Sequence, residues 1–128
     1  MYKYFNPNPN GLYEDDCVIR AVSKTFDLDW DSAFLDVMLT ALHLKRMPDN
    51  SYVWGAYLTS KGYKRYLVPD KCPLCYTVKD FCRDHKNGKY VVATHNHVVA
   101  INDGYYFDTW DSGDEAIEYY WKEINKNG

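Results

Sequence analysis

The sequence lacks features that mark several large classes of protein. No stretch of its 128 residues approaches the roughly 20 consecutive apolar residues of a membrane-spanning helix. The first residues contain no apolar core of a signal peptide, so we expect a cytoplasmic protein that does not act at a membrane. Basic residues are not in excess, since 15 Lys and Arg stand against 18 Asp and Glu. This balance argues against a domain that binds nucleic acid.

The chain is also short, and it contains neither an internal repeat nor a low-complexity tract. With 46% hydrophobic residues, it is expected to form one domain over residues 1–128. Its four cysteines are expected to be thiols, available for catalysis or metal binding, because no export signal indicates a disulfide framework. Aromatic residues are abundant, and the 13 Tyr, 5 Phe and 4 Trp are expected mainly to fill a small core.

Hydrophobic spacing predicts that the first half of the chain is helical. An Asn- and Pro-rich segment, 6–11, cannot be helical, and the fold is expected to begin after it. Three helices are then predicted: one beginning at about Asp16, one over Trp30–Leu44 and one over Ser51–Ser60. Asp15 or Asp16 is expected to cap the first helix, and Asp29 or Asp31 the second.

The second half of the chain is predicted to contain a sheet. Runs rich in β-branched and aromatic residues predict four strands, over Tyr63–Val68, Tyr90–Thr94, His97–Ile101 and Tyr105–Thr109. Thr77 is expected to cap a helix over Val78–His85, and Asn102-Asp103-Gly104 predicts a hairpin turn. Helical spacing of large apolar residues predicts a covering helix over Asp114–Asn125. The expected class is α+β, with N-terminal helices packed on a small antiparallel C-terminal sheet.

Cys17 stands at the start of the first predicted helix. Unpaired backbone N–H groups and the helix dipole favour an anion there, and a nearby histidine helps to lower a thiol pKa well below ~8.5. A lone cysteine is also commonly a buried structural residue. The prediction of a nucleophile therefore depends on a base elsewhere in the chain.

His97 and Asp108 are the candidates for that base and its hydrogen-bond acceptor. His97 begins one strand of the predicted hairpin and Asp108 lies late in the next, so antiparallel pairing can bring the two side chains together. An acceptor behind the imidazole selects the tautomer that faces the nucleophile. His95 is the alternative base, but it is expected in the preceding loop, and His43 is expected at the surface.

These residues resemble the papain-like cysteine peptidases, and most closely the small bacterial and phage members of that superfamily. The family has a cysteine at the start of the first helix, then His-(Ala/Val)-Val-Ala, then Asn-Ser-Trp or Asp-Ser-Trp on the neighbouring strand. The matching segments are DCVIRA at 16–21, HVVA at 97–100 and DTW at 108–110. The resemblance implies a papain-like fold, with Cys17 as nucleophile and His97 as general base and acid. It also implies that Asp108 orients the imidazole and that Trp110 shields their hydrogen bond from water.

One departure from the family concerns the oxyanion hole. The family uses an amide side chain, usually Gln, a few residues before the cysteine, but this sequence contains no Gln. Asn6, Asn8 and Asn10 are the nearby amides, and we select Asn10 as the donor. The backbone N–H of Cys17 would be the second donor.

A second group of residues has the spacing of a zinc site. Its members form a C-x2-C-x6-C-x2-H pattern: Cys72, Cys75, Cys82 and His85. The pattern has a single CxxC knuckle, and the simpler explanation is that Cys82 is an apolar residue inside a helix, His85 is solvated at the end of that helix, and Cys72 and Cys75 belong to a loop. We therefore expect no cofactor and no stoichiometric zinc, and any zinc present would be structural.

Three functions are compatible with these residues. The resemblance implies a thiol acyl-transfer enzyme, most simply a cysteine peptidase or isopeptidase that acts on a peptide or protein substrate through a thioester. Transglutaminases and arylamine acetyltransferases use the same Cys-His-Asp triad with other acceptors. The third alternative is a catalytically silent papain-like binding or adaptor protein, with or without structural zinc.

Overall fold

A computed structural model describes residues 1–68 and 76–124, and within them it contains four helices and six strands. In chain order these are β1 (Tyr2–Tyr4), α1 (Cys17–Phe26), α2 (Trp30–Leu44), α3 (Ser51–Ser60), β2 (Tyr63–Leu67), α4 (Val78–Asp84), β3 (Lys89–Thr94), β4 (His97–Asn102), β5 (Tyr105–Asp108) and β6 (Ile117–Glu123). The predicted α+β class is confirmed. In the described ranges, none of the helices has the length and apolar character needed to cross a membrane.

The strands form a mixed sheet in the order β1-β5-β4-β3-β6-β2. Alternate residues of its strands point to opposite faces, and each face packs on helices. Val91 and Ala93 of β3 join the core beneath α1, α2 and α3, whereas Val92 joins a second core with Phe81 of α4. Helices therefore cover the central strands on both faces.

The first four predicted helices are present, and local capping signals control where α2 and α4 begin. α2 has the predicted bounds, and the Asp29 side chain accepts a hydrogen bond from the Ser32 N–H at 2.7 Å. Thr77 and Asp80 form a reciprocal capping box at the start of α4. The predicted hairpin is also confirmed, since Asp103 and Gly104 have φ of 50° and 81°, as a two-residue β-turn with positive φ requires.

The prediction of a final helix over Asp114–Asn125 is wrong, because Ile117–Glu123 forms strand β6 between β3 and β2. Tyr119 and Trp121 pack in the core beneath α1 to α3, whereas Tyr120 packs on the α4 side. A strand covered on both faces has no simple alternation of polar and apolar residues. The resulting spacing of large apolar residues in Ile117–Glu123 matches the spacing expected of a helix.

The fold also begins earlier than predicted, and the sheet is neither purely antiparallel nor confined to the C-terminal half. β1 precedes the Asn- and Pro-rich segment and pairs in parallel with β5, with Tyr2 opposite Tyr106 and Tyr4 opposite Asp108. The Phe5 N–H then donates to the Asp108 carbonyl oxygen at 2.8 Å. The chain thus places its first residues directly beside the predicted acid of the site.

Candidate active site

Three elements bring the predicted triad together. Cys17 is the first residue of α1, His97 the first of β4 and Asp108 the last of β5. Because β4 and β5 are antiparallel, the beginning of β4 and the end of β5 lie at the same end of the hairpin. α1 packs against β4, which carries the cysteine to the two strand residues.

The predicted contact between His97 and Asp108 is present. His97 Nε2 donates to Asp108 Oδ2 at 2.6 Å, and the two side chains are 11% and 1% exposed. The Trp110 ring lies against the imidazole, with 4.9 Å between ring centroids. Water therefore has little access to the bond between the histidine and the carboxylate.

The Cys17 side chain is the other polar group that acts on the imidazole of His97. Since Nε2 is engaged with Asp108, Nδ1 is the ring nitrogen left for the sulfur. Burial alone would lower the pKa of His97, but the hydrogen bond to Asp108 and the interaction with Cys17 outweigh it and raise the pKa to about 9. The imidazole beside the sulfur is therefore protonated at neutral pH.

Asp108 is fully buried, and other groups besides His97 hold its carboxylate. Oδ1 accepts from Arg20 Nη2 at 3.0 Å and from the Thr109 N–H at 2.8 Å. Oδ2 accepts from the Ser112 hydroxyl at 2.7 Å. Burial on its own would raise the pKa of Asp108, but the hydrogen bonds from His97 and Ser112 and the charge of Arg20 lower it below its usual value. The acid therefore remains ionised in a fixed orientation.

Arg20 extends this network back to the start of α1. Its second nitrogen, Nη1, donates to Asp16 Oδ1, and Asp16 Oδ2 accepts from Trp30 Nε1 at 2.9 Å. The Asp16 side chain makes no capping hydrogen bond, so its predicted capping role is wrong. The carboxylate instead satisfies the buried guanidinium, which would otherwise be an unpaired charge in the core.

Sequence reasoning missed the roles of Arg20 and Ser112. Arg20 carried a usable signal, because it lies four residues after Asp16 inside an apolar helical run, and a basic side chain in such a run requires a buried partner. Ser112 carried no comparable signal. Its contact depends on the turn after β5, which returns the chain to Asp108.

The alternative base, His95, lies in solvent. Its side chain is 85% exposed, and its Nδ1 is 3.8 Å from Glu118 Oε2. His43 is also exposed, as expected. Of these histidines, His97 is the one whose pKa Cys17 affects.

Cys17 and His97 line an open groove of about 1180 Å³, and Asn8 and Asn10 line it as well. Asn8 Oδ1 accepts from two backbone N–H groups, one of them that of Asn10 at 2.9 Å. Asn6 is engaged through both side-chain atoms within its own loop. The loop thus presents two amides in the groove of the thiol, and the choice of Asn10 as oxyanion donor stays a prediction.

The predicted zinc array is only partly described, because Cys72 and Cys75 lie outside the described residues. Burial raises the pKa of the Cys82 thiol to about 11. His85 is half-buried rather than solvated; its Nδ1 donates to the Phe81 carbonyl at 2.9 Å, and its ring stacks on Phe81. No group of three potential ligands among residues 1–68 and 76–124 is placed to hold a metal.

The chain was compared with known proteins in three ways. Neither a scan against models of protein families nor searches of curated proteins and of solved structures find a match. The resemblance to papain-like peptidases therefore stays a prediction, which rests on the three short segments quoted above.

Proposed function

We propose that the protein is a thiol acyl-transfer enzyme with a papain-like fold, and most simply a cysteine peptidase or isopeptidase. One observation supports this proposal above the others. His97 donates a hydrogen bond to a buried carboxylate and has Cys17 as its other polar neighbour, and the cysteine lines an open groove. A histidine with a purely structural role has no need of a thiol partner at a groove.

Acylation begins with the protonated His97 beside the sulfur. The Cys17 thiolate attacks the carbonyl carbon of the substrate amide and forms a tetrahedral oxyanion. The backbone N–H of Cys17 and the Asn10 amide are the proposed donors to that oxyanion. The C–N bond then breaks as His97 gives its proton to the leaving amine, and the acyl group remains on Cys17 as a thioester.

In deacylation the same imidazole acts as a general base instead of a general acid. Neutral His97 takes a proton from water while the water oxygen attacks the thioester carbonyl. The C–S bond breaks, the carboxylic acid leaves, and the thiolate returns beside a protonated imidazole. An amine acceptor in place of water would give the transglutaminase-like or acetyltransferase-like alternative with the same residues.

Asp108 assists both steps without touching the substrate. Its bond to Nε2 directs Nδ1 at the sulfur and stabilises the positive imidazole. Arg20 and Ser112 hold the carboxylate in place, and Trp110 covers the His97 ring. These are positioning roles.

The proposal is tested with a mixture of peptides and the full chain, monitored by mass spectrometry. Wild-type protein is expected to cleave peptides or transfer their acyl groups, and brief acid quenching should trap an acyl adduct on Cys17. Cys17→Ala should abolish both signals. Cys82→Ala, a change to the buried thiol of α4, is the matched control and should retain them. Equal activity of wild type and Cys17→Ala, or none in wild type, would overturn the proposal.

A further inference from the structure

The groove beside Cys17 has an acidic lining. Six carboxylate residues of the described chain line it: Glu14, Asp15, Asp16, Asp31, Asp49 and Glu118. No Lys or Arg among the described residues does so, although the sequence contains 15 of them. Arg20 neutralises Asp16, but the other carboxylate residues are exposed. The groove therefore favours positively charged ligands.

Aromatic side chains provide an apolar lining in the same groove. Trp30 and Phe34 of α2 stack with ring centroids 5.0 Å apart. Trp54 and Tyr119 form a second stack, with centroids 6.2 Å apart. Long cationic side chains suit such a surface, because their methylene stems pack on rings while their charged ends reach carboxylates in solvent.

A third observation concerns Thr94, which also lines the groove. The residue is only 4% exposed, and within the described chain its Oγ1 has no hydrogen-bond partner. Thr94 lies directly opposite His97 in the pairing of β3 with β4. A buried hydroxyl without a partner is unfavourable, so a ligand whose binding turns this hydroxyl toward the groove would be stabilised beside His97.

We propose that this groove binds a peptide segment in which Lys or Arg side chains lie close to the bond that reacts. The inference rests on the proposed function and adds the class of substrate. The Thr94 hydroxyl bonds to the peptide backbone, the stacked aromatic rings hold the cationic stems, and the exposed carboxylates receive the charged ends. The same charges repel acidic peptides and give neutral peptides no electrostatic attraction.

Binding is tested separately from catalysis with the full-length Cys17→Ala protein. Three fluorescently labelled peptides of equal length are titrated by anisotropy: alternating Gly-Lys, Gly-Glu and Gly-Ser. The Gly-Lys peptide is expected to bind at least about tenfold more tightly than the other two at ~0.15 M salt, and more weakly as salt increases. Equal affinity for the three peptides, or a preference for Gly-Glu, would overturn the proposal.

A matched pair of charge reversals tests whether the groove, rather than net charge, sets the preference. Glu118 and Glu123 are both exposed residues of β6, but only Glu118 lines the groove. Glu118→Lys should weaken Gly-Lys binding by about three- to tenfold, and Asp49→Lys, on a separate loop, should do the same. Glu123→Lys should change affinity by less than about twofold. Equal losses in Glu118→Lys and Glu123→Lys would contradict a specific site.

Thr94 provides a test that does not depend on charge. Thr94→Val keeps the shape of the side chain but removes the hydroxyl, so Gly-Lys binding should weaken about two- to tenfold, and Thr94→Ser should restore it. Unchanged binding in Thr94→Val would remove the backbone contact from the proposal. If the protein forms the acyl adduct on Cys17 but binds all three peptides equally, the proposed enzymatic function stands and the proposed substrate class is wrong.

Discussion

Arg20 donates hydrogen bonds to two carboxylates at once, those of Asp16 and Asp108. Asp16 precedes the proposed nucleophile Cys17, and Asp108 supports the proposed base His97, so one buried guanidinium links the cysteine helix to the histidine hairpin. The charges also balance, because the two carboxylates stand against Arg20 and a protonated His97. This balance allows four ionised groups to share a site that is largely closed to water.

Removal of Arg20 should be strongly destabilising. Arg20→Met leaves Asp16 and Asp108 without their shared cation, and the free energy of unfolding should fall by about 3–5 kcal/mol in urea denaturation. Arg83→Met is the control, because Arg83 forms only exposed ion pairs, and it should cost less than about 1 kcal/mol. Similar small losses in both variants would show that the buried network contributes little.

Asp108→Asn should reduce catalysis far more than it reduces substrate binding. The amide can present an N–H to His97 Nε2 and so favour the wrong tautomer, and kcat should decrease by about 10²–10⁴ with KM little changed. Asp103→Asn, in the turn between β4 and β5, is the control, since asparagine tolerates positive φ. Equal kcat values for wild type and Asp108→Asn would remove Asp108 from the mechanism.

The raised pKa of His97 predicts a specific dependence of stability on pH. Folding raises this pKa from 6.5 to about 9, so the stabilisation from His97 is fully present below pH 6.5 and is lost as pH rises through about 9. The unfolding free energies of wild type and His97→Gln should therefore differ more at low pH, by on the order of 2–3 kcal/mol, and converge across this window. A difference that stays constant from about pH 6 to 10 would contradict the raised pKa.

The loss of the His97 proton should also limit turnover. Acylation requires a protonated imidazole to donate to the leaving amine, so kcat/KM should decrease as pH rises through about 9. Rates of hydrolysis of one peptide across this range provide the measurement. A kcat/KM that continues to rise above that pH would assign the proton donor to another group.

Purified protein is expected to contain well below one zinc ion per chain by elemental analysis. The prediction follows from the single CxxC knuckle, at Cys72 and Cys75, and from the raised pKa of the buried Cys82 thiol, since zinc binds the thiolate. Stoichiometric zinc in the wild type that is lost in Cys75→Ser would contradict this prediction and show that the array binds zinc.

Most of the fold could be predicted where a local rule controls it. The caps at Asp29 and Thr77 and the turn at Asp103-Gly104 each depend on residues adjacent in sequence. β1 could not be predicted, because three residues become a strand only through pairing with β5, about a hundred residues away. The β6 segment predicts a helix because large apolar side chains point to both faces of the strand, and no local pattern reveals that both faces carry helices.

The candidate site likewise contains some residues whose roles the sequence could predict and others whose roles it could not. Cys17, His97 and Asp108 could be proposed because the order of their segments along the chain is distinctive. The position of Asp16 before a helix predicts a cap, but its actual partners are Arg20, one turn along the same helix, and Trp30, which the packing of α2 on α1 brings to it. Tertiary packing decides whether Asp16 caps the helix or pairs with Arg20. A buried guanidinium without a partner would cost more free energy than a lost cap, so the ion pair forms.

The most direct test of the thiol–imidazole pair is the rate at which each cysteine reacts with iodoacetamide at about pH 6, resolved by peptide mapping. Cys17 should be labelled well ahead of the other three cysteines, including Cys82, whose thiol pKa is raised to about 11 by burial. His97→Ala should slow the labelling of Cys17, because the protonated imidazole that stabilises the thiolate is lost. Equal labelling of all four thiols, unchanged in His97→Ala, would contradict a catalytic role for Cys17.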